Sequence, residues 1–447
     1  MSEEKKVSRR GWMKYAGAGV VVVAAAAGAG YYATQPKPTP TTPTPTPTPT
    51  TPTPTPTPSP GGKKLKVRIG GTKPLTGTVA LAGIDEYNAL KLWAEKWVNA
   101  QGGIKGGDGN IYEVELIVYN DESKPENVSR LYEKLITEDK VDFLMGPVWA
   151  PLGMATVAAV EKYKKLEFFG TATFDPELYK DWKYIVHVCT NGSDYIDNIL
   201  DMILAECVPK DPEAKNIAVI HGDALFEKVC GVWGAEAVKK RANLIFYEKY
   251  PSPPTDLTPV LTRVKAAKPA IILAGEAAGA TLMTKQAREI GLDLKLFFPG
   301  TFAVYQDFYN ALGKYAEEII ANTQWEPGIK YKATYGPDHD WFLENYQKEF
   351  KQSPTYHGAI GFAQGLALQA AMEKSKNPLN SDAVREAVNT VEFTGFHGKF
   401  KIDPKTGWQI GHKLAVVQWQ DGKKVCIWPP EVASSKVRYP MKKWAER

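Results

Sequence analysis

Two strand-to-helix turns in succession, within Val141–Leu178 (VDFLMGPVWAPLGMATVAAVEKYKKLEFFGTATFDPEL), restrict this chain more than any other feature. An apolar strand over Val141–Met145 runs into Gly146-Pro147. Helical spacing of apolar residues then predicts a helix over Ala155–Tyr163. A second short strand, Glu167–Phe169, ends in Gly170-Thr171-Ala172-Thr173, with a turn and helix start at Asp175-Pro176. Paired turns of this kind set backbone N–H groups at the carboxyl edge of a parallel sheet, where open α/β sheets bind small molecules and anions. An ordinary βαβα unit without a ligand fits the same pattern.

The alternation continues on both sides. Strands are expected at Lys66–Gly70, Val114–Val118, Ile217–Ile220, Leu244–Tyr247, Ile271–Leu273 and Leu296–Phe298. Helices are expected at Ala89–Val98, Glu126–Glu138, Asn198–Glu206, Val232–Arg241, Leu257–Ala266 and Ala280–Ile290. The class is doubly wound α/β, and some twelve elements over about 250 residues divide naturally into two similar lobes. Helices at Asp340–Phe350 and Ala359–Lys374 and a β-rich tail from Phe396 to Cys426 follow.

The N-terminus reads differently. Ser8-Arg9-Arg10-Gly11-Trp12-Met13-Lys14 and the apolar run Tyr15–Ala33 resemble a twin-arginine export signal, a general secretory signal being the alternative. The run is long enough to span a bilayer. Pro36 to Pro60 is nearly pure Thr-Pro, which stays extended as polyproline II and, at about 3.1 Å per residue, reaches roughly 75 Å. A stalk of that reach suits a protein held at the membrane, so residues 1–34 are expected to remain as an anchor and 35–63 to form the stalk. Cleavage would instead give a secreted protein.

Composition excludes more than it proposes. The 55 basic and 50 acidic residues are interspersed, and no basic block interleaved with aromatics points to nucleic acid. Four cysteines lack C-x-x-C spacing, and Cys207–Cys230 is the pair to test first for a disulfide. The sequons at Asn127 and Asn191 are candidate glycan acceptors, Asn127 the better placed. His339, between Asp338 and Asp340, is expected to cap a helix at Trp341 rather than bind metal. There is no G-x-S-x-G, Walker lysine or H-E-x-x-H, so no enzyme, metal or cofactor is expected.

Several motifs then fall in one order. Val67–Gly83 (VRIGGTKPLTGTVALAG), Val98–Gly106 with Tyr119-Asn120-Asp121, Asp139-Lys140-Val141 leading to Gly146-Pro147, Ala287–Leu292, Phe396-His397-Gly398 and Gln418–Lys423 resemble the branched-chain amino-acid-binding family of ABC-transporter substrate-binding proteins, collinearly over about 65–430. The resemblance implies two Rossmann-like lobes joined by three crossover strands, as in type I periplasmic-binding proteins. Lobe I takes 64–188 plus 322–412, lobe II takes 189–321 plus 413–440, and 441–447 is a tail. The crossovers fall near Val188–Asn191, Ala321–Gln324 and Gly411–Leu414.

It also implies an extracytoplasmic monomer that clamps a small ligand, an amino acid or related amide or carboxylate, and delivers it to an ABC permease. A ligand-sensing receptor ectodomain of the same fold is the alternative. By resemblance the ligand carboxylate meets Trp149 and Ala150, where the family's usual small hydroxyl residue is missing, and Ala172 and Thr173. Phe226 stands at an aromatic packing position. Glu276 stands where an aromatic is usual and Thr301 where an ammonium-binding acid is usual. Glu276, following Ala274-Gly275 at the same sheet edge, is therefore expected to supply the anion, and Glu276→Gln to leave ligand-free stability nearly unchanged.

Overall fold

The computed structural model describes residues 62–447. The export signal, the apolar run and the Thr-Pro stretch lie outside them. Among the described residues, no helix is long and apolar enough to cross a membrane.

Two sheets, parallel except for the edge strand Ile104–Lys105 of the first, organise the structure. The first contains β1 (Lys64–Lys73), β2 (Ile104–Lys105), β3 (Ile111–Asn120), β4 (Phe143–Met145), β5 (Glu167–Phe169) and β6 (Ile185–His187), in the order β2-β3-β1-β4-β5-β6. β1 sits at its centre, with Val67 opposite Val114 and Ile69 opposite both Leu116 and Phe143. The second contains β7 (Asn216–Gly222), β8 (Asn243–Tyr250), β9 (Ile271–Gly275) and β10 (Leu296–Phe298), in the order β10-β9-β7-β8. Each sheet is buried under helices, which is why its central strands are almost wholly apolar.

Both sheets have a point at which the winding reverses. From β1 the chain passes to β3 on one side and then to β4 on the other; from β7 it passes to β8 and then across to β9. The crevice outside the carboxyl ends at such a reversal is the ligand position of open α/β sheets. Here it falls between β1 and β4 in one sheet and between β7 and β9 in the other.

A third, antiparallel sheet of β11 (Ile320–Thr323), β14 (Ala415–Gln420) and β15 (Lys423–Trp428) lies beside the second body, and β12 (Glu392–Gly395) pairs with β13 (Gly398–Lys401). Asp421-Gly422 turns β14 into β15 with both residues at positive φ, the conformation a two-residue hairpin needs. Three chain passages meet between the bodies. Gln324 donates to the Thr190 carbonyl (2.7 Å) and accepts from its amide (3.1 Å), the Thr190 hydroxyl donates to the His412 carbonyl (2.8 Å), and His412 Nε2 meets the Gln324 carbonyl (2.9 Å). All three side chains are buried.

Several elements begin earlier than helical periodicity suggests. The helix expected from Ala89 starts at Ala80, because Asp85 and Glu86 on its buried face look like solvent-facing residues. Asp85 accepts from Tyr346, Thr355 and the Gly358 amide, and Glu86 from Lys73. The helix Leu225–Arg241 likewise starts seven residues before the expected Val232, its first turns carrying the buried Glu227 and Gly231. Short elements at Ile185–His187, Gln306–Leu312 and Ser381–Val388 carry too little periodic signal to be read in advance.

Four other expectations change. All four cysteines are free and buried; Cys207 packs beneath the second sheet, whereas Cys230 packs with Tyr195 and Leu414, so the proposed bridge joins two separate clusters. Asn191 is fully buried and holds both polar groups of Phe174, which removes it as a glycan acceptor. Asp338 accepts from the Trp341 amide and is the helix cap; His339 instead contacts the Pro327 carbonyl. The segment 441–447 is no free tail: Trp444 is buried in the second body's core, and its indole donates to the Leu292 carbonyl at 2.8 Å.

Candidate ligand-binding cleft

A wholly buried ion pair underlies the first sheet's edge. Lys73, the last residue of β1, meets Glu86 at 2.5 Å, and both side chains are 0% exposed. Lys73 also donates to the Gly146 carbonyl (2.5 Å) and to Gln364 (3.3 Å). Glu86 accepts from the amide (3.2 Å) and hydroxyl (2.8 Å) of Thr171. The two ends of one ion pair thus hold the two turns, Gly146–Ala150 and Gly170–Thr173. Leaving either charge unpaired in such a place is costly, so the pair fixes the turns relative to each other. His357 adds a contact from Nδ1 to the Thr171 hydroxyl at 3.0 Å, and burial, with Lys73 nearby, pushes its pKa down to about 3.

Ala172 and Thr173 are set by a second buried group. His187, at the end of β6, places Nε2 2.6 Å from the Ala172 carbonyl, and burial pushes its pKa down to about 4. In a trans peptide the following N–H points opposite to the C=O. Turning the Ala172 carbonyl inward therefore turns the Thr173 N–H outward. Neither the Ala172 and Thr173 amides nor the Thr173 hydroxyl bonds to another described residue. At the other turn, Trp149 adopts φ +73° and is 43% exposed, outside the core, while Ala150 begins a short helix, Ala150–Met154.

The second sheet approaches through the chain passage at Gly192. A Cβ at this glycine would stand 2.6 Å from Thr173 Cγ2, 3.1 Å from Cys230 Sγ and 3.4 Å from the Phe226 ring, so Thr173 and Phe226 meet around it. Phe226 packs edge-on against Tyr195 at 5.4 Å, and the Tyr195 hydroxyl accepts from Gln324. Tyr305 faces Tyr356 from the two bodies, and Phe302 lies 5.0 Å from Tyr305.

Glu276 is neither a solvated loop glutamate nor an open anion. It is 1% exposed. Its Oε1 accepts from the Ala277 and Gly279 amides at 2.8 Å each, and its Oε2 from the Tyr250 hydroxyl at 2.6 Å. These contacts close the turn into the helix Ala280–Glu289, so Glu276 is built into the fold of this edge. Thr301 directs its amide (2.9 Å) and hydroxyl (3.3 Å) to the Glu276 carbonyl. Glu227, one residue after Phe226, packs against Glu276 and accepts from Ser252; burial, with Glu276 beside it, pushes its pKa up to about 7.

Lys73, Glu86, His187, Glu227 and the tyrosines were not foreseen. A lysine ending an apolar strand, followed by Pro74, is the one local signal that was available. Among the described residues no group of three or more His, Cys, Asp or Glu could hold a metal ion.

The family model for periplasmic binding proteins matches residues 66–424. The chain belongs to the periplasmic binding protein family, with the type I fold. The Leu/Ile/Val-binding protein homolog 7 of Brucella suis biovar 1 is 22% identical over 396 residues, covering 84% of this chain and 94% of the relative. A branched-chain amino acid transporter substrate-binding protein from Streptococcus pneumoniae, solved with isoleucine, aligns with TM-score 0.61 at 20% identity over 80% of this chain and 97% of its own. A solute-binding protein from Rhodopseudomonas palustris, solved with 3,4-dihydroxybenzoic acid, aligns with TM-score 0.60 at 21% identity over 86% of this chain and 99% of its own.

Proposed function

We propose that this protein captures a small carboxylate-bearing solute, an amino acid or a related amide or carboxylate, outside the cytoplasm and passes it to an ABC permease. The observation that carries the reading is the buried Ala172-Thr173 turn, whose amides and hydroxyl lack partners among the described residues, next to Gly192 and the Phe226 ring. Lobe I is taken as 64–188 plus 322–412, and lobe II as 189–321 plus the chain from 413 onward. The buried ladder through Thr190, Gln324 and His412 serves as the hinge. Trp149, Ala150, Ala172, Thr173 and Phe226 contact the ligand, while Glu276 and Thr301 shape the opposite wall. The protein works as a monomer, binds without turnover, and is tethered to the outer face of the membrane by its N-terminal apolar run.

A thermal-shift screen of the purified protein against amino acids, amides and short carboxylates tests this, because a ligand at 100 times its Kd stabilises by about 2.7 kcal/mol. A rise in Tm with at least one such compound is expected. No rise with any of them would overturn the reading.

A further inference from the structure

The cation of an amino acid finds no ready receptor in the buried acids at the second sheet's edge. A carboxylate offers roughly four acceptor positions. Those of Glu276 go to the Ala277 amide, the Gly279 amide, the Tyr250 hydroxyl and the Glu227 carboxyl. Approach is closed as well. Gly222 and Gly279 lie against the two carboxyls: a Cβ on Gly222 would collide with Glu227 Oε2, and one on Gly279 would sit 2.9 Å from Glu276 Cδ. Glu227 is 7% exposed and occupied by Ser252 and Glu276. Thr301 has spent both donors on the Glu276 carbonyl. Asp223 at the end of β7 is exposed, and one of its oxygens accepts the Ser252 amide.

The other half of the cleft is unlike this. The Ala172 and Thr173 amides and the Thr173 hydroxyl lack partners among the described residues, and Phe226 and the half-exposed Trp149 supply apolar surface. Anion recognition is provided for, whereas the buried acids of the opposite edge, Glu227 and Glu276, are occupied from within. Resting on the solute-binding reading above, we propose that the physiological ligand is a carboxylate without an ammonium group, with an apolar or aromatic body that packs on Phe226 and Trp149. The buried carboxyl pair is then part of the wall that shapes the site.

Titration calorimetry on matched pairs tests the proposal: 4-methylpentanoate against leucine, 3-phenylpropanoate against phenylalanine, and benzoate alone. The amine-free acid of at least one pair is expected to bind ten times or more tighter than its amino-bearing partner. Thr173→Val should weaken that acid at least tenfold, whereas Asp223→Asn should leave it within twofold. Tighter binding of the amino acid in every pair that binds, or a tenfold loss in Asp223→Asn, would overturn the amine-free class while leaving solute binding intact. Tight binding of an uncharged amide with none of the acids would overturn it in the same way. Failure of every acid, amino acid and amide to bind would remove the solute-binding reading and this inference together.

Discussion

Lys73→Met is the perturbation that most directly probes how the cleft is built. The substitution keeps the stem of the side chain and deletes its charge, leaving the Glu86 carboxyl fully buried with only Thr171 as donor. Breaking a buried ion pair by removing one partner costs about 3–5 kcal/mol. An unfolding entropy of about 2.1 cal/mol/K per residue gives roughly 0.8 kcal/mol/K for a fold of this size, so Tm should fall by about 4–6 °C. The same change leaves the Gly146 carbonyl only its long contact with Gln364 (3.4 Å) and loosens the Thr171 turn, so ligand affinity should fall with stability. Replacing both partners, Lys73→Met with Glu86→Leu, removes the unpaired charge and should recover at least about 2 kcal/mol of the summed single-variant losses. Scanning calorimetry of the wild type, both singles and the double variant reads all of this. Single variants within 1 °C of wild type, or a double variant equal to the sum, would refute the reasoning.

Three further outcomes follow from particular residues. Glu227 has a raised pKa, near 7, so its neutral form contributes stability that is fully present below about pH 4.5 and lost as pH rises through 7; Glu227→Gln should flatten the Tm-against-pH curve between pH 5 and 8, and an unchanged slope would count against the raised value. Gly365 lies where a Cβ would strike the buried Trp93 ring, and Gly365→Ala should destabilise by about 1–3 kcal/mol in urea unfolding, a neutral result showing that the two helices can separate. Thiol titration of unfolded, unreduced protein should count four free thiols; two would restore a disulfide.

The class of fold was legible because the central strands of both sheets are apolar runs between helical patterns, and the collinear motifs gave the order of the pieces. Helix starts were hidden wherever a charged residue is buried by a partner far along the chain. Asp85 reaches Thr355 and Tyr346, and Glu86 reaches Lys73 and Thr171, pairings that no local pattern encodes. The Ala172-Thr173 turn was readable from the strand that ends before it. What sets it was not, since His187 lies on a three-residue strand with no alternation to show. Glu276 shows the limit most plainly. Its place at the sheet edge was read from the strand, whereas its partners Tyr250 and Glu227 come from two other elements and turn an apparent ligand contact into part of the wall.

The most direct measurement is a crystal structure of the protein with the tightest ligand from the screen. A carboxylate within about 2.7–3.2 Å of the Ala172 or Thr173 amide, with the ligand body against Phe226, is the predicted result. A ligand bound away from that turn, or held chiefly by a cationic group against Glu276, would contradict the account.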